Sequence, residues 1–184
     1  MGKLYAWEFM SIDGIMESPE KWIHPHSSED VWDFIRNENL SAESMILGKM
    51  TYEAFITFWP HQKNNEFGFA DRLNRMQKYV VSSTLKNADW NNTKIIDNNI
   101  LEEIKKIKRE SKGDIGMTGS AKLFQCLVQN SILDEIHLLV YPIVLGSGIR
   151  LFGEVPQSDL TLQKAKAFNS GVVLLSYQMN RIDV

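Results

Sequence analysis

The residues of this chain that could do chemistry gather where strands give way to turns. Asp114–Phe124 (DIGMTGSAKLF) reads as a strand ending at Thr118, a turn at Gly119-Ser120, and a helix that begins at once. A helix N-terminus leaves backbone N–H groups unpaired and carries the positive end of the helix dipole, and glycine lets a phosphate come close. Leu47-Gly48-Lys49-Met50-Thr51-Tyr52-Glu53 joins a strand to a helix in the same way and adds a cation and a hydroxyl. Val80-Val81-Ser82-Ser83-Thr84 places three hydroxyls at the end of another strand. Each stretch alone is also an ordinary surface turn, and no G-x-G-x-x-G is present. Ligands of open α/β sheets bind beyond the carboxyl ends of the parallel strands. Three such ends with Gly, Ser, Thr or Lys therefore point to one phosphate-rich ligand.

Other polar residues offer less. His24 and His26 flank Pro25 without a third ligand at suitable spacing, so no metal site is expected. His61 and His137 have no acid or nucleophile at matching spacing, and no Ser-His-Asp or Cys-His pattern is visible. Cys126, the single cysteine, lies between Phe124 and Leu127 in an apolar helical pattern and reads as core; no intrachain disulfide can form. Trp22, Trp32 and Phe34 could floor a site for a flat heterocycle or simply pack the core.

The elements that must position these residues alternate. Lys3–Ser11 (KLYAWEFMS) reads as a buried strand closed by Asp13-Gly14. Ser27-x-x-Asp30 resembles a capping box ahead of Val31, Phe34 and Ile35 at helical spacing. Strands are predicted at Ser44–Gly48, Lys78–Ser82, Lys94–Asp97, Asp114–Thr118 and Glu135–Tyr141. Helices are predicted at Met50–Phe58, Phe69–Met76, around Ile100, Leu101, Ile104 and Ile107, and at Ser120–Gln129. Alternation of this kind favours a largely parallel sheet with helices on both faces. Leu160–Ala167, Asn169-Ser170-Gly171 and Val172–Gln178 read instead as a hairpin, adding antiparallel pairing at one edge.

One domain, residues 1–184, accommodates all of this. A net charge of −3 argues against nucleic acid, which needs a basic face to neutralise phosphates. Lys105, Lys106, Lys108 and Arg109 lie beside Glu102, Glu103 and Glu110 and read as a solvated helix face. No apolar run is long enough to span a bilayer, and the chain opens into a strand rather than a signal peptide, so no membrane association and a cytoplasmic location are expected.

The ordered set Ser11-Ile12-Asp13-Gly14, Leu47–Glu53, Val80–Thr84, Thr118-Gly119-Ser120, and Asp134-Glu135-Ile136 followed by Pro142–Gly148 and Leu151-Phe152 resembles the dihydrofolate-reductase-like family. Within it the chain is most similar to the reductase domain of the bifunctional riboflavin-biosynthesis deaminase-reductase. The resemblance implies a mostly parallel sheet with a terminal antiparallel hairpin and NADPH as cofactor. It implies that Gly48, Lys49 and Thr51 hold the cofactor phosphates, that Ser82 and Ser83 lie along the adenosine half, and that Thr118, Gly119, Ser120 and Ala121 cap the diphosphate. Ala6, Ile12, Asp13, Gly14 and Ile15 would face the nicotinamide. Trp22, Phe34 and Tyr52 would meet the substrate, and Asp30 is the counterpart of the family's proton-relaying carboxylate, or else only a helix cap. Two positions depart from the family: Thr118-Gly119 stands where dihydrofolate reductases have Gly-Gly, and Ile15 where riboflavin reductases often carry a basic residue.

The implied activity is hydride transfer to a small pteridine- or pyrimidine-like molecule, with reduction of a ribosylaminopyrimidine ranked above dihydrofolate reduction. A non-catalytic NADPH-binding sensor is the rival. A homodimer is expected, because Glu135–Tyr141 and the hairpin read as exposed β edges that need covering.

Overall fold

The computed structural model describes residues 2–38, 42–62, 65 and 68–180. Its first strand, β1 (Leu4–Ser11), alternates as a pleat requires. Tyr5, Trp7 and Phe9 join one apolar cluster, while Leu4, Ala6 and Met10 join the other. Glu8, by the same alternation, faces with Ala6 and Met10. Parallel strands follow at β2 (Ser44–Gly48), β3 (Gln77–Val81), β4 (Thr93–Ile96), β5 (Ile115–Met117) and β6 (Glu135–Tyr141). The predicted hairpin forms from β7 (Leu160–Ala167) and β8 (Val173–Met179), with β8 antiparallel to β6. Gly171, at φ 85°, closes its turn. Together they build one sheet in the order β4-β3-β2-β5-β1-β6-β8-β7.

The helices are α1 (Glu29–Glu38), α2 (Lys49–Phe58), α3 (Ala70–Arg75), α4 (Ile100–Glu110) and α5 (Ala121–Gln129). From β1 to β4 the chain steps one way across the sheet, and from β4 to β6 it steps back. Right-handed crossovers then send α1, α2 and α3 to one face and α4 and α5 to the other. Val31, Phe34, Tyr52 and Leu73 accordingly pack with Trp7, whereas Ile104, Leu123, Phe124 and Leu127 pack with Ala6 and Ile46. The reversal inserts β5 between β1 and β2, so the exits of these three strands meet.

Three expectations are corrected. Glu135–Tyr141 is not an edge: β1 and β8 flank it, and the sheet edges are β4 and β7. The hairpin does supply an edge, through β7. Ser27 does not cap α1, because its hydroxyl bonds the carbonyl of Ile23 and the Tyr141 hydroxyl; α1 begins two residues later, at Glu29. Lys108 is not solvated. Its ammonium is buried against the carbonyl of Ile132 and the carboxylate of Asp134, each at 2.6 Å, and ties α4 to the start of β6.

Candidate functional site

The exits of β2 and β5 are pressed together, each glycine seated against a side chain of the facing turn. A Cβ at Gly48 would stand 2.4 Å from the Cβ and Oγ of Ser120, and one at Gly119 would stand 2.3 Å from Oγ1 of Thr51. Gly119 also takes φ +70°, a conformation that strains any L side chain. Ser120 then caps α5 with its own Oγ, which accepts the N–H of Leu123 at 3.4 Å. The structure thus brings Gly48, Thr51, Gly119 and Ser120 to one spot at the head of α5. The helix dipole presents its positive end there.

Lys49 links this spot to the neighbouring strand exit. Its Nζ donates to Oγ1 of Thr84 at 3.0 Å and stands 3.7 Å from Oε1 of Glu53. Ser82 and Ser83 part company. The buried Ser82 hydroxyl accepts the N–H groups of Thr84 and Leu85, at 3.2 and 2.9 Å, and so fixes the turn. Ser83 is exposed beside Thr84.

On the other side of β5, the exits of β1 and β6 are stapled by Asp13. Its carboxylate accepts the N–H groups of Leu145 and Gly146, at 3.1 and 2.8 Å, and the Ser11 hydroxyl at 2.7 Å. The Ser11 hydroxyl and these two amides hold the Asp13 carboxyl down at about 2. Ile12 is exposed and its N–H bonds the carbonyl of Ile143, next to the exposed Val144. Arg150 donates to the carbonyl of Asp13 at 2.5 Å, beside Gly14, so a guanidinium covers the β1 exit.

Several residues assigned to ligand contact are buried or engaged in contacts of their own. Ala6 is wholly buried in the α4–α5 face, and Ile15 is buried in the seam between the β1 and β6 loops. Tyr52 is buried with its hydroxyl accepting the N–H of Trp90 at 3.2 Å. The Trp22 indole donates to the carbonyl of Glu17 and packs edge-on against Tyr141, while Phe34 packs between Trp7 and Phe168. Asp30 bonds the Ser28 hydroxyl and accepts the N–H of Asn169 at 3.0 Å, which ties α1 to the β7–β8 turn. Both contacts lower its pKa and keep it ionised, the opposite of what a proton donor needs. His137, without a patterned partner in the sequence, bonds the Ser176 hydroxyl through Nδ1 at 2.9 Å and stacks on Trp7.

One residue that sequence reasoning passed over lies directly under the site. Glu8 is 3% exposed, and its Oε2 accepts the N–H of Gly119 at 3.1 Å. Its Oε1 has no hydrogen-bond partner among the described residues. Burial pushes its carboxyl up to about 8, against the smaller lowering effect of the Gly119 amide. The available signal was an acid inside an otherwise apolar strand.

A family model described as the RibD C-terminal domain matches residues 3–174. Among solved structures, a Shewanella sp. PV-4 protein named for riboflavin biosynthesis superposes with TM-score 0.78 at 16% identity, over 97% of this chain and 99% of that one. A pyrimidine reductase-like protein of Corynebacterium diphtheriae gives TM-score 0.72 at 13% identity, over 98% and 93%. Dihydrofolate reductase of Enterococcus faecalis, solved with NADP(H), gives 0.67 at 16% identity, over 98% of each chain.

Proposed function

The chain belongs to the RibD C-terminal domain family, and on that premise we propose that it is an NADPH-dependent reductase of a small pyrimidine-like heterocycle. The observation that carries the reading is the close packing of Gly48 on Ser120 and of Gly119 on Thr51 at the head of α5, with the Lys49 ammonium alongside. A Cβ at Gly48 would collide with Ser120 and one at Gly119 with Thr51, so only glycine lets the two turns close on one another beside a helix N-terminus that suits a phosphate. The residues present fit a dinucleotide.

Gly48, Thr51, Gly119, Ser120 and the N–H of Ala121 would hold the diphosphate. Lys49 and the exposed Ser83 would meet the additional phosphate of the adenosine half, with Ser82 fixing the turn that presents them. Of the β1-exit residues, Ile12 is exposed and with Val144 offers an apolar wall for the nicotinamide end. Bound NADPH supplies a hydride; the protein's part is to hold donor and acceptor in register and to exclude water. Asp30, held ionised, is not placed to give a proton, so solvent at the mouth of the site delivers it.

The substrate class follows from the same loops. Riboflavin-type reductases often carry a cation straight after Asp-Gly. Here Ile15 is buried, but the Arg150 guanidinium lies over Gly14 and restores a positive charge beside that position. A ribosylaminopyrimidine bearing a phosphate, of the kind reduced by 5-amino-6-(5-phosphoribosylamino)uracil reductase, offers an anionic group for that charge to meet.

The test is a panel of pteridines and aminopyrimidines, with and without ribose phosphate, followed at the reduced-nicotinamide absorbance band. Sustained NADPH oxidation with a phosphorylated aminopyrimidine is the expected result. NADPH binding without turnover on any member would instead assign the protein as a binding module.

A further inference from the structure

Glu8 sits where a carboxylic acid is hardest to explain by packing. The face it shares with Ala6 and Met10 is otherwise apolar, and β5, β6 and α5 cover it. Its register partner on β6 is Leu138, and β5 sets Met117 opposite Ala6. The packed face of α5 is Ala121, Leu123, Phe124, Leu127 and Val128. No cation meets it. Glu135 and His137 of β6 alternate onto the opposite face, where His137 stacks on Trp7. On α5 the titratable side chains are Lys122, which is exposed, and Cys126, which is half-buried; neither contributes to the Glu8 shift, which comes from burial and the Gly119 amide alone.

Resting on the NADPH reading above, we propose that Glu8 is a positioning residue of the diphosphate site, holding the Thr118-Gly119-Ser120 turn from beneath in its neutral form, so that dinucleotide binds only with this carboxyl protonated. The chemistry follows from one peptide. Oε2 engages the Gly119 N–H, so the neutral acid carries its proton on the unpartnered Oε1, a donor lacking an acceptor. A diphosphate on the far side of that peptide does not touch the sealed Oε1, but its negative charge favours the uncharged acid. An ionised Glu8 would instead set a buried negative charge across a single peptide from the diphosphate, in surroundings that screen it poorly. A carboxyl pushed up to about 8 crosses between these forms just above neutrality. Binding above that point must take up a proton.

The measurement is NADPH affinity from quenching of the five tryptophans, between about pH 7 and about pH 9.5. The phosphate esters, with second pKa about 6, stay fully ionised throughout that window. Wild type should bind with a Kd that is level near neutrality and then weakens, approaching about tenfold per pH unit. Calorimetry near pH 9 in two buffers of different ionisation enthalpy should show uptake of close to one proton. Glu8→Gln, fixed in a neutral form, should show a level profile. Lys78 titrates in the same window but is buried on the α1–α3 face, and a response that persists in Glu8→Gln would belong to it or to another group. A wild-type profile level to about pH 9.5, no proton uptake, or an undiminished slope in Glu8→Gln each overturns the proposal while leaving the cofactor assignment intact. The calorimetry needs only the wild-type protein, so it decides the matter even if the variant does not fold. Failure of wild type to bind NADPH at any pH would remove the cofactor reading, and this inference with it.

Discussion

Cofactor choice turns on Lys49. NADPH exceeds NADH by one phosphate, and selectivity needs a group that rewards its charge. The Lys49 ammonium is held at the β3 exit by Thr84 and half-claimed by Glu53 on the next turn of α2. It is partly exposed, which favours the lower end of the charge-assisted range, about 1.5 kcal/mol or roughly tenfold. Lys49→Ala should weaken NADPH by that factor and leave NADH nearly unchanged, with Ser83→Ala acting in the same direction but less. An unaltered affinity ratio would sink the assignment. Asp30 makes the contrasting prediction. Because it is ionised and bonded to Asn169, Asp30→Asn should leave turnover within about twofold, where a proton relay would lose about a hundredfold, and should lower the melting midpoint modestly. Gly48, Lys49, Gly119 and Ser120 were legible in the sequence because residue type and local spacing carry their meaning. Glu8 was not, since its partner Gly119 lies 111 positions away and burial is a property of the fold.

Elements were legible wherever periodicity alone decides them. The alternation in EIHLLVY and the DIGMTGSAKLF strand-turn-helix were read within a residue or two of their final bounds. What periodicity does not encode is the place of a strand in the sheet, so Glu135–Tyr141 was taken for an edge although β1 and β8 cover it. The turn between β5 and α5 illustrates the same limit, because its glycine answers to α2 rather than to its neighbours in sequence. Gly119→Ala meets two separate costs: φ +70°, and a Cβ 2.3 Å from Oγ1 and 2.8 Å from Cγ2 of Thr51. Together they should destabilise the protein by about 1–3 kcal/mol in denaturant titrations and weaken nucleotide binding. Adding Thr51→Ala should recover the steric part and leave the conformational part, so the two changes should be clearly non-additive. Strict additivity would mean that the turns do not touch.

For the molecule as a whole, net charge says nothing of where a charge is buried. Two buried charges should nevertheless shape the stability of the entire fold. Glu8 is raised from 4.5 to about 8, so between those values the unfolded chain is ionised while the native chain keeps its proton. The native state then binds more protons, and stability falls with rising pH by up to about 1.4 kcal/mol per unit, on the order of 5 kcal/mol in all. Lys78 has the opposite sign. Burial among the carbonyls of Leu73 and Met76 lowers it from 10.5 to about 8, so above 8 the unfolded chain holds the extra proton and stability recovers. The two limbs meet near pH 8, which should be a minimum rather than the usual plateau. Glu8→Gln isolates the descending limb. It should match wild type at about pH 3, where both side chains are neutral in both states, and gain on it steadily from about pH 4.5 up to about pH 8. Urea titrations of the two proteins across that range give the difference directly. A difference that does not change with pH would mean that Glu8 ionises like any surface carboxyl, and that the apolar floor beneath the Gly119 turn is wetter than its packing implies.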